Sequence, residues 1–388
     1  MQRHYGLDWL RIGAFAILIL YHVGMVFVPW DFHAKLPGAW WVAVPMMASN
    51  PWRLALLFLV SGYASRALML RNKAPWRFAR QRSLRLLVPL IVGVAVIVPV
   101  QPWVELREKY GYAEGFWHFW CHDYFQFTTI GTLFLPAWNH LWFVGYLWVY
   151  TLALAAGALL IPQAVRRGAQ AGFAAMMRGP ALLIVPIGWM VVVNFVLFPG
   201  ARETHALVDD WVAHASYFPF FLFGYALACA PHTLAALVRR WKASAAIAVV
   251  AYAVVAGIEI RWPGSTMPRP WGTVFALARA VEAWGAVAAL IGYADGHWNR
   301  DRRWRRTLTE AVFPFYIVHQ SIIVLVAYWL LPLALPGWAA FVVLVAATIA
   351  GCWAFYLIGR RIGPLRPLIG LRRHASRRTH VDPRPAIM

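Results

Sequence analysis

The sequence predicts an all-α polytopic transmembrane bundle of about ten helices with both termini cytoplasmic, and three observations carry that expectation. Of 388 residues, 61% are hydrophobic and only 13% charged, with a mean hydropathy of +0.58; about half apolar is usual in a soluble domain. Apolar runs close to the roughly 20 residues that span a bilayer recur along the chain. They lie at 9–29, 52–70, 84–104, 138–160, 181–199, 214–230, 243–260, 271–293, 308–331 and 338–358. The formal net charge is +21, and 28 of the 36 Lys and Arg fall in 1–11, 66–85, 162–180, 231–242, 294–306 and 359–388. The intervening segments hold seven, and Arg279 lies inside a run. Charge alternating loop by loop is the positive-inside pattern. Cations on one face meet anionic lipid headgroups, so the basic balance does not call for a nucleic-acid partner.

The first run is longer than a signal h-region and has no small-residue cleavage site at its end, so it reads as helix one. Residues 1–358 form one integral domain without linker or repeat. Residues 359–388, with three Arg-Arg pairs, read as a disordered basic tail against cytoplasmic lipid. Cys121, Cys229 and Cys352 are scattered and odd in number, giving neither a disulfide framework nor a metal site. His118 and His122 are spaced for a metal, but no further ligand pattern joins them. Two outer loops are long, 30–51 and 105–137. The second is rich in aromatic and acidic residues. It suits an interfacial belt, a cover over an outward cavity with rings that stack on sugars, or both.

Ionisable groups inside a span are expensive and are functional candidates by default. Helix one supplies Asp8 and Arg11 at its cytoplasmic start and His22 near mid-membrane. Arg11 and His22 are eleven residues apart, a rise of about 16 Å, and eleven steps come within roughly 20° of three whole turns. Both therefore lie on one stripe, and Asp8 and Arg11 are spaced to pair. His22 reads as a buried base or as a hydrogen-bonded core histidine. His319, with Tyr316 and Gln320, reads as a cavity wall or as an interhelical hydrogen bond. Arg279 and Glu282 are three apart and spaced for a buried ion pair, a feature often structural. Ser61–Gly62 suits a small-residue helix contact; a catalytic serine needs a base, and no neighbour supplies one. Arg77, Arg80, Arg82 and Arg85 precede helix three, as ordinary positive-inside charge or as a site for a phosphorylated cytoplasmic ligand such as coenzyme A. Asn139, His140 and Trp142 open helix four from outside.

These pieces resemble the acyltransferase-3 family of membrane O-acyltransferases. Leu7–Asp8, Arg11 and, after ten residues, His22 are similar to its helix-one signature. FLVSGY at 58–63, RQRSLRLLVP at 80–89, HLWFVGYL at 140–147, YFPFFLFGYAL at 217–227 and FYIVHQ at 315–320 follow in the family's order. The resemblance covers about 5–330. Lack of a fused soluble domain, and continuation of helix one into YHVGMVF, look most like the glucan-biosynthesis protein C branch, which is associated with succinylation of periplasmic glucans. One departure is Ile12, where many members have Gly.

The resemblance implies transfer of an acyl group, acetyl or succinyl, from cytoplasmic acyl-CoA to a hydroxyl of a periplasmic or cell-surface glycan. The setting implied is a bacterial inner membrane, with acyl-CoA as co-substrate and no bound cofactor or metal. His22 would then be the general base, and Arg11 would orient the donor or stabilise charge on the thioester oxygen. Arg80, Arg82 and Arg85 would hold the phosphates of the donor. Asp8, Ser61, Asn139, His140, Trp142, Arg279, Glu282, Tyr316 and His319 would line the cavity. The alternative is a glycan or lipid-linked-glycan flippase. Against it, the sequence has no repeat-like halves and no second Gly/Pro-broken helix.

Overall fold

The computed structural model describes residues 4–72 and 74–372. Among the described residues eleven long helices follow in order: α1 (Tyr5–Met25), α2 (Arg53–Arg71), α3 (Pro75–Tyr110), α4 (Asn139–Leu160), α5 (Gln163–Met176), α6 (Ala181–Leu197), α7 (Trp211–Leu227), α8 (Pro231–Arg261), α9 (Arg269–His297), α10 (Arg305–Leu333) and α11 (Gly337–Arg361). Each of the ten expected runs falls mostly in a helix, the first outrunning α1 by four residues. Eight are individually long and apolar enough to cross a membrane; α5 and α6, bent by 105°, make a ninth when taken together. The shortfall from ten falls on α6, which bends away, and on α7, which has only 17 residues. The chain is an all-α polytopic membrane bundle. A belt of exposed large apolar side chains, among them Ile91, Leu160, Val249 and Trp338, surrounds it. In water such a surface would drive association; in lipid it is solvated.

Helix α1 is the hub, packing against α2, α9, α10 and α11. Close helix contacts are made by residues without side chains. A Cβ on Gly62 of α2 would run into the Phe221 carbonyl of α7, and one on Gly224 of α7 into the Leu59 carbonyl of α2. Reciprocal glycines let the backbones touch, the membrane solution to helix association where water supplies no driving force.

Two local devices position the interior. Helix α1 stops at Met25, with Pro29 beyond it, and its C-terminal carbonyls are taken by an ammonium. Lys35 Nζ donates to the carbonyls of Met25 at 2.6 Å and Trp30 at 2.8 Å, and to that of Val28. A cation there also suits the negative end of the helix. In α3, residues Gly93–Ile97 form a π turn. The widened turn offers carbonyls to side chains. Tyr124 Oη donates to Val94 at 2.8 Å, Trp120 Nε1 to Ala95 at 2.7 Å, and Ser321 Oγ to Ile97 at 2.7 Å. Trp120 and Tyr124 belong to the aromatic outer loop, whose Phe119, Tyr124 and Leu135 pack with Leu106 as a separate small core. Strands Thr129–Ile130 and Leu133–Phe134 pair there as a short hairpin.

The basic tail expected from 359 begins inside the fold. Helix α11 runs on to Arg361, and Arg366 is buried, donating to the Arg360 and Arg372 carbonyls and to Glu310. Ile369 and Leu371 pack beside Tyr356 and Ala311. Residues 373–388 of that tail lie outside the described residues.

Candidate active site

The stripe on α1 meets α10. His22 Nδ1 lies 2.8 Å from His319 Nε2, with the rings stacked at 5.0 Å. His319 Nδ1 is 2.8 Å from the Tyr316 carbonyl and 3.2 Å from that of Phe315. A carbonyl only accepts, so the Nδ1 proton of His319 is fixed, and its neutral Nε2 must accept. The proton between the rings therefore sits on His22 Nδ1, and His22 Nε2 keeps its lone pair. A backbone carbonyl thus dictates, through two rings, which nitrogen of His22 is basic. His319 is fully buried, whereas His22 is half-buried. His22 stands in the last turn of α1 rather than midway along it, because the capped helix ends early. Its partner lies at the middle of α10.

The other polar residues expected near His319 gather around it. His140 Nε2 donates to the Ile317 carbonyl at 3.0 Å, and the Tyr316 hydroxyl donates to the His140 carbonyl. Asn139 Nδ2 donates to Gln101 Oε1 at 3.0 Å. Gln101 is fully buried and central: its amide donates to Ser321 Oγ at 2.8 Å, and its oxygen also accepts from Gln320 at 3.1 Å. Gln320 Nε2 reaches His33 Nε2 at 3.1 Å; His33 Nδ1 reaches Glu105 Oε2 at 2.5 Å; and Lys109 bridges Glu105 and Asp31 at 2.7 and 2.5 Å. A polar chain thus leads from beside the histidine pair to the face opposite the N-terminus. Gln101, His33 and Glu105 were not among the expected site residues. The available signal was spacing: Gln101 and Glu105 are four apart, on one face of α3.

At the other end of the stripe, basic groups converge. Arg11 Nη2 donates to the Thr309 carbonyl at 3.3 Å, while Arg11 Nε and Arg82 Nε are buried and have no hydrogen-bond partner among the described residues. The guanidiniums of Arg11, Arg82 and Arg85 lie close enough to repel one another, and Arg85 also feels Arg372. Arg80 points elsewhere: with Asn72, Trp76, Arg77, Gln81 and Leu84 it lines an open groove of about 520 Å³ on the α3 surface. The three arginines expected to act together are therefore split, two facing Arg11 and one outside. Asp8 is held by Arg305 Nη1 at 2.7 Å, a partner not expected, and its charge still attracts Arg11.

Of the remaining expectations the Arg279–Glu282 ion pair changes, the Ser61–Gly62 helix contact holds, and Trp142 packs on other rings. Arg279 and Glu282 do not make the expected ion pair: Arg279 Nη2 donates instead to Asn50 Oδ1 at 2.6 Å, and both Glu282 oxygens are buried without a hydrogen-bond partner. Asn50, from the loop before α2, outcompetes the carboxylate one turn away. Ser61 lies at the α2–α7 contact beside Gly62. Its carbonyl accepts Ser65 Oγ at 2.8 Å, and no hydrogen bond joins it to a histidine among the described residues. Trp142 faces away from the histidine pair, its ring stacked on His205 at 4.1 Å and near Tyr217 and Phe58. The rings of His118 and His122 are 4.7 Å apart, and no group of three metal-ligating side chains occurs among the described residues.

The arrangement provides a base with an open lone pair, a polar route to one face and partner-poor guanidiniums toward the other. Compared with known families, residues 4–357 match the family model described as an acyltransferase domain. No curated protein and no solved structure matches the chain.

Proposed function

The chain belongs to this acyltransferase family, and from that membership we propose that it moves an acyl group from acyl-CoA on its basic face to a glycan hydroxyl on the opposite face. In this reading the basic face is the cytoplasmic one, which the charge rule supports, the membrane is a bacterial inner membrane, and the acceptor stands in the periplasm or at the cell surface. The observation that carries the reading is the tautomer chain from the Tyr316 carbonyl through His319 to His22, which leaves Nε2 of His22 as a base.

In this reading Arg82 and Arg85 hold the donor phosphates, charge-assisted bonds that suit guanidinium. The acyl arm runs along the α1 stripe past Arg11, about 16 Å in rise, to His22. His22 Nε2 takes the proton of the acceptor hydroxyl as its oxygen attacks the thioester carbonyl. The C–O bond forms, and the donated hydrogen bond from His22 to His319 steadies the imidazolium. When the C–S bond breaks, the thiolate takes that proton and leaves as free thiol. Atoms and charge balance with no cofactor beyond acyl-CoA. Succinyl and acetyl are the acyl groups we favour, and a periplasmic glucan the acceptor.

The test measures free thiol from acyl-CoA by purified protein with a glucan acceptor, alongside mass spectrometry of cell glycans from wild-type, deletion and His22→Ala strains. Thiol release and a glycan ester, both lost in His22→Ala protein still present in the membrane, are expected. Wild-type protein that releases no thiol, in a strain whose glycans carry unchanged esters after deletion, would overturn the reading.

A further inference from the structure

Arg53 opens α2 on the face opposite the N-terminus, yet it is only 6% exposed. Its guanidinium carbon sits 3.3 Å from the ring centroid of Tyr21, the residue before His22. Its Nε and Nη1 are buried and have no hydrogen-bond partner among the described residues. Tyr21 Oη accepts from Asn50 Nδ2 at 2.6 Å, and the same asparagine accepts Arg279 at 2.6 Å. One tyrosine–asparagine bridge therefore holds two arginines of different helices near each other. They repel, and the charge of Arg53 also reaches His22.

Their contacts among the described residues are with neutral groups: Arg53 lies over the Tyr21 ring and interacts with its hydroxyl, and Arg279 donates to Asn50. Among the described residues neither guanidinium makes an ion pair. Glu282 attracts Arg279 without bonding it, and Glu203 is engaged by the Tyr217 hydroxyl at 2.8 Å and by His205 at 3.4 Å. A buried charged donor without an acceptor costs several kcal/mol in general, and buried polar groups that lack partners call for an explanation. An anion that enters beside His22 supplies one.

We propose that Arg53 and Arg279 form a carboxylate-binding subsite beside His22, which selects a substrate bearing a negative charge near the reacting atoms. The inference rests on the acyl-transfer reading and names a property of its substrate. The carboxylate belongs either to the acyl group, as in a hemi-dicarboxylate, or to the acceptor, as in a uronate-bearing glycan.

The experiment titrates full-length protein in detergent with four probes: monomethyl succinate and its neutral dimethyl ester, and a methyl glucuronoside and the matching methyl glucoside. Wild type is expected to bind one carboxylate probe more tightly than its neutral counterpart. Preference for monomethyl succinate assigns the charge to the acyl group, and preference for the glucuronoside assigns it to the acceptor. Arg53→Met and Arg279→Met are each expected to weaken that probe about tenfold or more, as losing a charged hydrogen bond does. Arg53→Lys, which keeps the charge in the bundle, gives a folded variant with intermediate affinity. The proposal is overturned if wild type binds the charged and neutral probes alike, or if folded Arg53 and Arg279 variants bind the carboxylate as wild type does. Thiol release is scored separately. If it is absent while carboxylate binding is intact, the transferase reading falls, and with it the assignment of the anion to its substrate.

Discussion

His22 and His319 are separated by 297 residues in the chain and by 2.8 Å in space. The proton between them has one place to be, because the Tyr316 carbonyl fixes the other end of the pair. In the proposed reading His319 positions the pair and His22 is the base. His22→Ala is expected to lower kcat about 10²–10⁴-fold, the usual contribution of a general base. His319→Gln keeps an acceptor for His22 and should retain more activity than His319→Leu, which removes it. Equal loss in the glutamine and leucine variants would show that acceptance by residue 319 is irrelevant.

The same pair sets the sign of a pH effect. A base works only while Nε2 keeps its lone pair, and acidification fills it. With purified protein, kcat/KM should therefore fall as pH is lowered and level off on the alkaline side. A rate that rises on acidification would identify an acid as the controlling group. A flat profile would separate His22 from the slow step.

Arg82 and Arg85 are expected to differ from Arg80. Replacing either of the first two with alanine should raise KM for acyl-CoA about tenfold or more with a smaller change in kcat, since each removes a charged donor. Arg80→Ala, on the open groove of the α3 surface, should change KM by less than about twofold. Kinetics with one acceptor at saturation and varied acyl-CoA distinguish the two, and equal KM effects at all three positions would contradict the split seen in the structure.

Lys35→Met removes the donor to three carbonyls at the end of α1. Charged hydrogen bonds of this type contribute about 1.5–3 kcal/mol each at most, so a loss of about 1–3 kcal/mol in stability is expected. Thermal unfolding in detergent reads it directly. Unchanged Tm would mean that neighbouring groups take over the cap.

Much of this was legible in the sequence, for definite reasons. Hydropathy marked ten helical runs because backbone groups in lipid leave few alternatives to a helix. The α1 stripe was legible because Arg11 and His22 lie on one helix, where period alone fixes direction. Contacts between distant helices were not. Spacing permits Arg279 and Glu282 to pair but does not compel it, and Asn50 wins that competition from another segment. Arg53 counted as loop charge because it borders an apolar run, although it is buried. Gln101 carries no charge, so its apolar run shows no ionisable group at that position. The π turn at Gly93–Ile97 leaves no mark in an apolar stretch of Gly, Val, Ala and Ile.

That turn has an evolutionary reading. A π turn amounts to one residue inserted into a regular helix, and one residue is a rotation of about 100°. An inserted residue turns the segment that follows Ile97, which carries Gln101 toward Ser321 and Glu105 toward His33. An ancestor lacking one codon here would have carried those two side chains on a different meridian of α3. Natural variants with a length change at 93–97 should therefore either lose the polar route to the outer face or rebuild it from other positions, and a one-codon deletion should be tolerated far less well here than in the outer loop beyond Tyr110.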